Sequence, residues 1–186
     1  MRMVMTAEDI ARTLQRMAHE IVERYNRDLP QGVIVGIRTR GLPLAERLRA
    51  IIAEITERTL PLGVLDITLY RDDLTQVGPV PLVRKTELPG AIDGRTVFLV
   101  DDVLFTGRTV RAALDALIDY GRPRAVRLVV LIDRNHRELP IQADIVGMFV
   151  PTRWDEVVHV LIHEVDGRDV VLVGHRAEPI ETEGDT

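Results

Sequence analysis

The 186-residue sequence contains no cysteine. That absence excludes a disulfide framework, a thiolate metal site and a cysteine nucleophile. No apolar run reaches the roughly 18 residues that a membrane-spanning helix requires. The opening residues, MRMVMTAEDIARTL, carry early acids and no long apolar stretch. No signal peptide is therefore expected, and the expected location is cytoplasmic with no membrane partner. The chain also lacks an excess of positive charge. Its net charge of −5 gives no global support for a protein devoted to nucleic acid, although a local basic face is compatible with it. Lysine is nearly missing, with Lys85 alone. The remaining cations are arginines, which suit bidentate phosphate contacts; a genome-wide codon bias gives the same count. There is no internal repeat, low-complexity tract or domain linker.

What is present fits one sizeable core. Hydrophobic residues make up 46% and charged residues 28%, so residues 1 to 186 are expected to form a single domain. Thr6 with Asp9 reads as a helix cap, and Ile10, Leu14, Met17, Ile21 and Tyr25 follow at helical spacing, predicting a helix over 7 to 26. Residues 32 to 37 (GVIVGI) form a short apolar run that predicts a buried strand. A second helix is predicted over 42 to 57 and a strand over 62 to 70. Residues 71 to 94 are polar, contain Pro79, Pro81 and Pro89, and show no period. A loop of that length is often functional.

Beyond it the pattern predicts a strand over 96 to 100, a helix over 109 to 120 ended by Gly121, and a strand over 126 to 132. Strands alternating with helices argue an α/β fold with a mainly parallel sheet. Short strands over 144 to 150, 156 to 164 and 169 to 174, with Asp166-Gly167 as a hairpin turn, are expected to form a small antiparallel flank. Residues 178 to 186 read as an acidic, frayed tail.

The segment TVFLVDDVLFTGRTVRAA, residues 96 to 113, carries the chemistry. It runs in order through an apolar strand, the acid pair Asp101 and Asp102, and Thr106-Gly107-Arg108-Thr109 opening a helix. Ligands in open α/β sheets bind at the carboxyl ends of the strands. A small, hydroxyl-rich turn at a helix start offers free N–H groups to a phosphate, and glycine lets the backbone approach it. The two acids suit ribose hydroxyls or the water shell of a magnesium ion. The acid pair alone fits a capped βα turn with two surface acids better than a ligand site; the ordered string reverses that preference. It is neither GxxxxGK[ST] nor GxGxxG. Earlier, Arg38-Thr39-Arg40-Gly41 places donors before a helix, which suits a pyrophosphate; a basic turn capped by Thr39 is as good an account of those residues in isolation.

Residues 97 to 109 resemble the phosphoribosyl pyrophosphate (PRPP) motif of type I phosphoribosyltransferases. The resemblance implies that Asp101 and Asp102 meet the ribose as catalytic groups. It implies that Val103, Leu104 and Phe105 line the nucleotide, and that Thr106, Gly107, Arg108 and Thr109 hold the 5′-phosphate. Beside this motif, Arg38, Thr39, Arg40 and Gly41 resemble the pyrophosphate loop, with Arg40 as a further catalytic group. Mg2+ would enter with PRPP, indirectly or through Asp101 and Asp102.

The strings GIRTRG, DITLYRDDL, GRPRAVRL and DRNHRELPIQAD extend the resemblance, over roughly residues 7 to 172, to the PyrR family. Members of that family attenuate pyrimidine operons and have uracil phosphoribosyltransferase activity. The likeness implies PRPP, uracil and UMP as ligands and pyrimidine-operon leader mRNA as a partner. It also implies a homo-oligomer, dimer or tetramer, and a mobile loop over 71 to 94 that closes over PRPP, with Tyr70 at its start and Arg71, Asp72, Asp73 and Arg84 within it. Phe105 stands where purine enzymes of similar motif carry an acid, and it cannot act as a base, which disfavours a purine substrate. Arg134, His136 and Arg137 are placed to reach the base or the pyrophosphate, and Val158 to meet the base edge through its backbone. Arg12, Arg16 and His19 share a helix face and, with Arg137, are candidates for the RNA surface; a solvated helix face is the plain alternative. Asn135, Gln142 and Met148 depart from the family's glycine, arginine and lysine, removing two positive charges. A salvage phosphoribosyltransferase without RNA regulation is the other reading.

Overall fold

In the computed structural model, which describes residues 1–73 and 85–178, the chain opens with a strand that no pattern announces, β1 (Arg2–Met5). Helix α1 (Ala7–Tyr25) follows behind a reciprocal cap. Thr6 Oγ1 accepts a hydrogen bond from Asp9 N at 3.2 Å, while the Asp9 carboxylate accepts from Thr6 N at 3.0 Å. Two donors that the helix start leaves unpaired are satisfied together. The predicted apolar stripe is the buried one: Ile10, Leu14, Met17, Ile21 and Tyr25.

Strands β2 (Gly32–Ile37), β3 (Leu62–Leu65), β4 (Thr96–Leu104), β5 (Ala125–Asp133) and β6 (Ile145–Phe149) form a parallel sheet in the order β3-β2-β4-β5-β6. Helices α2 (Gly41–Thr56) and α3 (Arg108–Ile118) make crossovers. The strand alternation divides the core. Ile34, Phe98, Val100, Val129 and Leu131 face α1 and α2, whereas Val33, Val35, Val97, Leu99 and Val130 pack with Val110, Ala113 and Leu117 of α3. Strands buried on both faces read as continuous apolar runs, which is why GVIVGI and the runs in β4 and β5 were legible. Strand order reverses between β2 and β4, and their carboxyl ends open a crevice there.

A second sheet, in the order β1-β8-β7, combines β7 (Glu156–Leu161) with β8 (Val170–His175) and the N-terminal strand, all antiparallel. Among the described residues, no helix is long and apolar enough to cross a membrane.

Five expectations change. The strand predicted over 144 to 150 does not join the antiparallel flank: β6 pairs in parallel with β5. Asp144 stitches it there, since its N–H donates to Leu128 O and its carboxylate accepts from Leu128 N, both at 2.8 Å. The strand predicted over 62 to 70 stops at Leu65, because the Asp66 carboxylate accepts from Thr68 N at 2.9 Å and turns the chain into a short 3-10 segment. The strand predicted over 156 to 164 stops at Leu161. The expected hairpin turn is instead one helical turn, α4 (His163–Asp166), ended by Gly167 at φ 77° and closed by Asp166 Oδ2 accepting from Ile162 N at 2.8 Å. Finally, β4 continues beyond residue 100 through the acid pair, keeping register with β5 as Asp101 opposite Val130 and Val103 opposite Ile132.

Candidate active site at the strand-order reversal

A cavity of about 760 Å³ lies at the carboxyl ends of β2 and β4 and is lined by Arg38, Thr39, Asp101, Asp102, Phe105 and Thr106, among others. Asp101 is 5% exposed. Its Oδ1 accepts from Asp102 N, and Asp102 Oδ1 accepts from Val103 N, each at 2.9 Å. Burial, then the neighbouring carboxylate, pushes Asp101 well above the usual carboxylate range. Burial also raises Asp102, against the lowering effects of its hydrogen bonds and of Arg40. The pair, one carboxyl buried and the other half-buried, thus favours a proton, a cation or a hydroxyl donor.

Beside it the chain turns at Gly107, whose φ of 92° favours glycine, and a Cβ there would lie 3.3 Å from Ile141 Cβ. The turn is braced from outside: Glu138 N and Leu139 N donate to Thr106 O at 3.0 and 3.1 Å. Among the described residues the N–H groups of Gly107, Thr109 and Val110 have no acceptor. Unpaired N–H groups converging at a helix start form an anion site. Val103 lines the cavity, whereas the Leu104 side chain is buried in the core and only its carbonyl, bonded to Arg134 N at 3.0 Å, faces neighbouring chain.

Opposite, the Arg38–Thr39 peptide is cis, and Arg38 donates to Lys85 O through Nε at 3.2 Å and Nη2 at 3.0 Å. A side chain on Gly41 would collide with Val100 O, so glycine lets α2 start against β4. Arg40 points toward the second sheet, where Asp166 takes Nε at 3.0 Å and Nη2 at 2.7 Å. Its charge still reaches the site, lowering Asp102. His159 lies below its usual pKa through burial and then through Arg40.

Phe105 joins the cavity to an aromatic cluster. The Arg134 guanidinium sits 3.6 Å from the Phe105 ring centroid, and the His136 and Trp154 rings lie 5.4 Å from it. Arg134 is buried and pinned to Thr152 Oγ1 at 2.8 Å and Glu156 O at 2.7 Å, one residue pair before Val158 in β7. Arg137 is turned away from the cavity. It donates to Ile141 O, Phe105 O and Asp133 Oδ2 at 2.7, 3.0 and 2.6 Å, so it braces the loop rather than offering a free guanidinium to a base or to RNA.

The start of the long polar region is tethered near the mouth. Tyr70 donates to the Asp119 carboxylate, and that bond raises its pKa to about 12. Arg71 pairs with Asp73 at 2.6 Å, and Asp72 with Arg108 at 2.6 Å. Arg108 also binds Glu138, so its side chain lies outside the turn that its backbone helps to form. Arg84 and residues 179–186 lie outside the described residues. Arg12, Arg16 and His19 are exposed along α1, and the two arginines line a separate groove of about 370 Å³ with Gly147 and Met148. Arg16 is partly spent there, donating to Val146 O at 3.1 Å.

The phosphoribosyl transferase domain family matches residues 3–166. The bifunctional protein PyrR of Chloroflexus aurantiacus is 59% identical over 172 residues, covering 92% of this chain and 94% of that protein. The chain belongs to the PyrR family. The bifunctional protein PyrR of Thermus thermophilus is 57% identical over 173 residues, covering 93% and 95% of the two chains. Among solved structures, the hypoxanthine phosphoribosyltransferase of Trypanosoma cruzi superposes with a TM-score of 0.71 at 19% identity, covering 94% of this chain and 97% of that one. At that identity the likeness is one of fold. Two residues of this PyrR-family chain escaped the sequence reading. Trp154, the single tryptophan, is 60% exposed against the aromatic cluster. Arg176 lines the cavity from beyond β8. The rarity of tryptophan was a usable signal for the first; nothing local marked the second.

Proposed function

We propose that this PyrR-family chain transfers the 5-phosphoribosyl group of PRPP to uracil, giving UMP and diphosphate, and binds the leader mRNA of pyrimidine genes when UMP is held. The observation that carries the transferase reading is one cavity that joins the buried Asp101 and the half-buried Asp102 to a turn whose Gly107, Thr109 and Val110 N–H groups have no acceptor among the described residues. In this reading the turn holds the 5′-phosphate, and the two carboxylates accept hydrogen bonds from the ribose hydroxyls. Arg38 and Thr39 face the diphosphate, Gly41 lets their loop enter α2 against β4, and Arg40 contributes charge from behind. Phe105 bounds the base side and offers no proton acceptor, which favours a pyrimidine.

The donor set suits Mg2+. A pair of hard oxygen donors, without a cluster of three His, Cys, Asp or Glu among the described residues, matches an ion that keeps waters and takes further ligands from substrate phosphates. Asp101 and Asp102 would hold it, and it would supply positive charge to the departing diphosphate. The protein's own residues orient the sugar and neutralise charge as the ribosyl carbon becomes cationic; no side chain acts as nucleophile. Tyr70, Arg71, Asp72 and Asp73 begin the region that would close over PRPP and exclude water.

The regulatory half draws on Arg12, Arg16 and His19 along α1, within a homodimer or tetramer. Two assays test the whole reading. PRPP is incubated with uracil, hypoxanthine or guanine in turn, and turnover is expected with uracil; purine turnover without uracil turnover defeats the specificity. Filter binding of the chain's own operon leader, at fixed salt, is expected to depend on UMP; binding indifferent to UMP defeats the regulatory half.

A further inference from the structure

We infer that Arg176 is a further substrate-binding residue, whose guanidinium stabilises the uracil ring as its N1 proton is lost. The inference rests on the uracil reading above. Arg176 lines the same cavity as Asp101, Asp102 and Phe105, yet it arrives from the antiparallel sheet. The other arginines of that lining are engaged. Arg38 donates to Lys85 O, Arg71 pairs with Asp73, and Arg108 is shared between Asp72 and Glu138. Arg176 is exposed and has no hydrogen-bond or ion-pair partner among the described residues. A guanidinium carries five N–H donors, and none of those of Arg176 is spent on a described residue of the cavity lining.

Arg176 and Phe105 line this one cavity together. Arg134, which lies over Phe105, has its pKa lowered by burial and also by the charge of Arg176. Arg134 itself is spent on Thr152, Arg153 and Glu156. The His136 imidazole, packed on Phe105, is bound through Nε2 to Thr152 O at 2.6 Å. Among the described residues, Phe105 is therefore flanked by a cation with unspent donors and by an imidazole already engaged through Nε2.

That combination fits the bond change. As the uracil N1–C1′ bond forms, the C1′–O bond to diphosphate breaks and its electron pair leaves with the diphosphate. The N1 proton leaves to water or to the departing diphosphate. Before and during that loss, negative charge spreads from N1 onto the ring carbonyls O2 and O4. A guanidinium beside a carbonyl oxygen stabilises the charge as it develops and makes the ring easier to ionise.

The test compares uracil with 5-fluorouracil, whose ring loses its proton more readily, in the full chain and in Arg176→Gln, which keeps reach and loses charge. With uracil, kcat/KM is expected to fall roughly tenfold to a hundredfold while the KM for PRPP stays unchanged. With 5-fluorouracil the loss is expected to shrink, and Arg176→Lys to recover part of the uracil rate. The melting temperature should not move, since Arg176 is exposed and has no partner among the described residues. An equal loss for both bases, or no loss, overturns the inference and leaves the uracil transferase standing. Failure of the unaltered chain to use uracil overturns both.

Discussion

Arg40 lies flat against Asp166, donating through Nε to Oδ2 at 3.0 Å and through Nη2 to Oδ1 at 2.7 Å, so a residue at the start of α2 is fixed by one in α4, far along the chain. Asp166 is anchored in turn by the Ile162 N–H at 2.8 Å. In the proposed reaction Asp166 sets where the Arg40 charge sits relative to Asp102. Asp166→Asn keeps the shape and removes the charge that fixes the fork. We expect the KM for PRPP to rise about tenfold, the usual scale for losing one charge-assisted bond, with the KM for uracil unchanged. Steady-state kinetics with each substrate varied checks this, and an equal change in both constants counts against a positioning role.

Asp101 and Asp102 set function against stability. Their carboxyl pKa values are raised by burial, and that of Asp101 also by its neighbour, so ionising them penalises the folded state above the ordinary carboxylate pKa and not below it. Asp101→Asn removes the penalty. The variant is expected to gain about 1–2 kcal/mol at neutral pH and to lose most activity, the trade-off common at active sites. Thermal melts at pH 7 and in acid, with PRPP turnover, measure both; the stability gain should vanish in acid. Unchanged PRPP kinetics would refute the site assignment.

Arg47 ties α2 to the loop before β8 by gripping two carboxylates, Glu164 at 2.5 Å and Asp169 at 2.7 Å. Hydrogen bonds from Arg47 hold both acids below their usual pKa. Depressed acids contribute stability that is complete above their unfolded pKa and is lost as pH falls through the folded value. The Glu164 side chain is 41% exposed, so solvent screening reduces the contribution. Arg47→Ala is expected to cost about 1–2 kcal/mol at pH 7, and the gap to the unaltered chain should close in acid. Denaturant melts across that range follow it.

Met148 lines the α1 groove with Arg12 and Arg16, in place of the lysine typical of the PyrR family. If the groove meets RNA phosphates, Met148→Lys adds a contact. UMP-dependent binding should strengthen, and the slope of log affinity against log salt should steepen by about 0.7–0.9. Filter binding over a salt series reads both. A change in affinity with an unchanged slope places Met148 away from the phosphates.

The contiguous features were legible from the sequence because their physics is local. A capping box, a glycine at positive φ and a strand leading into acids and a helix start each depend on residues within a few positions of one another. Residues 96 to 113 therefore carried the order of strand, acids, glycine turn and helix start in their local pattern. Tertiary structure decided what period and propensity leave open. An apolar run does not name the edge it joins, so β6 entered the parallel sheet through Asp144, and β1 appeared only as a partner for β8. A cation in the sequence does not name its acceptor. Arg137, expected at the base, was drawn inward by Asp133 and three carbonyls. Arg176, on which the sequence made no claim, lines the cavity without a partner among the described residues. Both outcomes depend on which distant groups packing brings within hydrogen-bond range, and no local spacing encodes that.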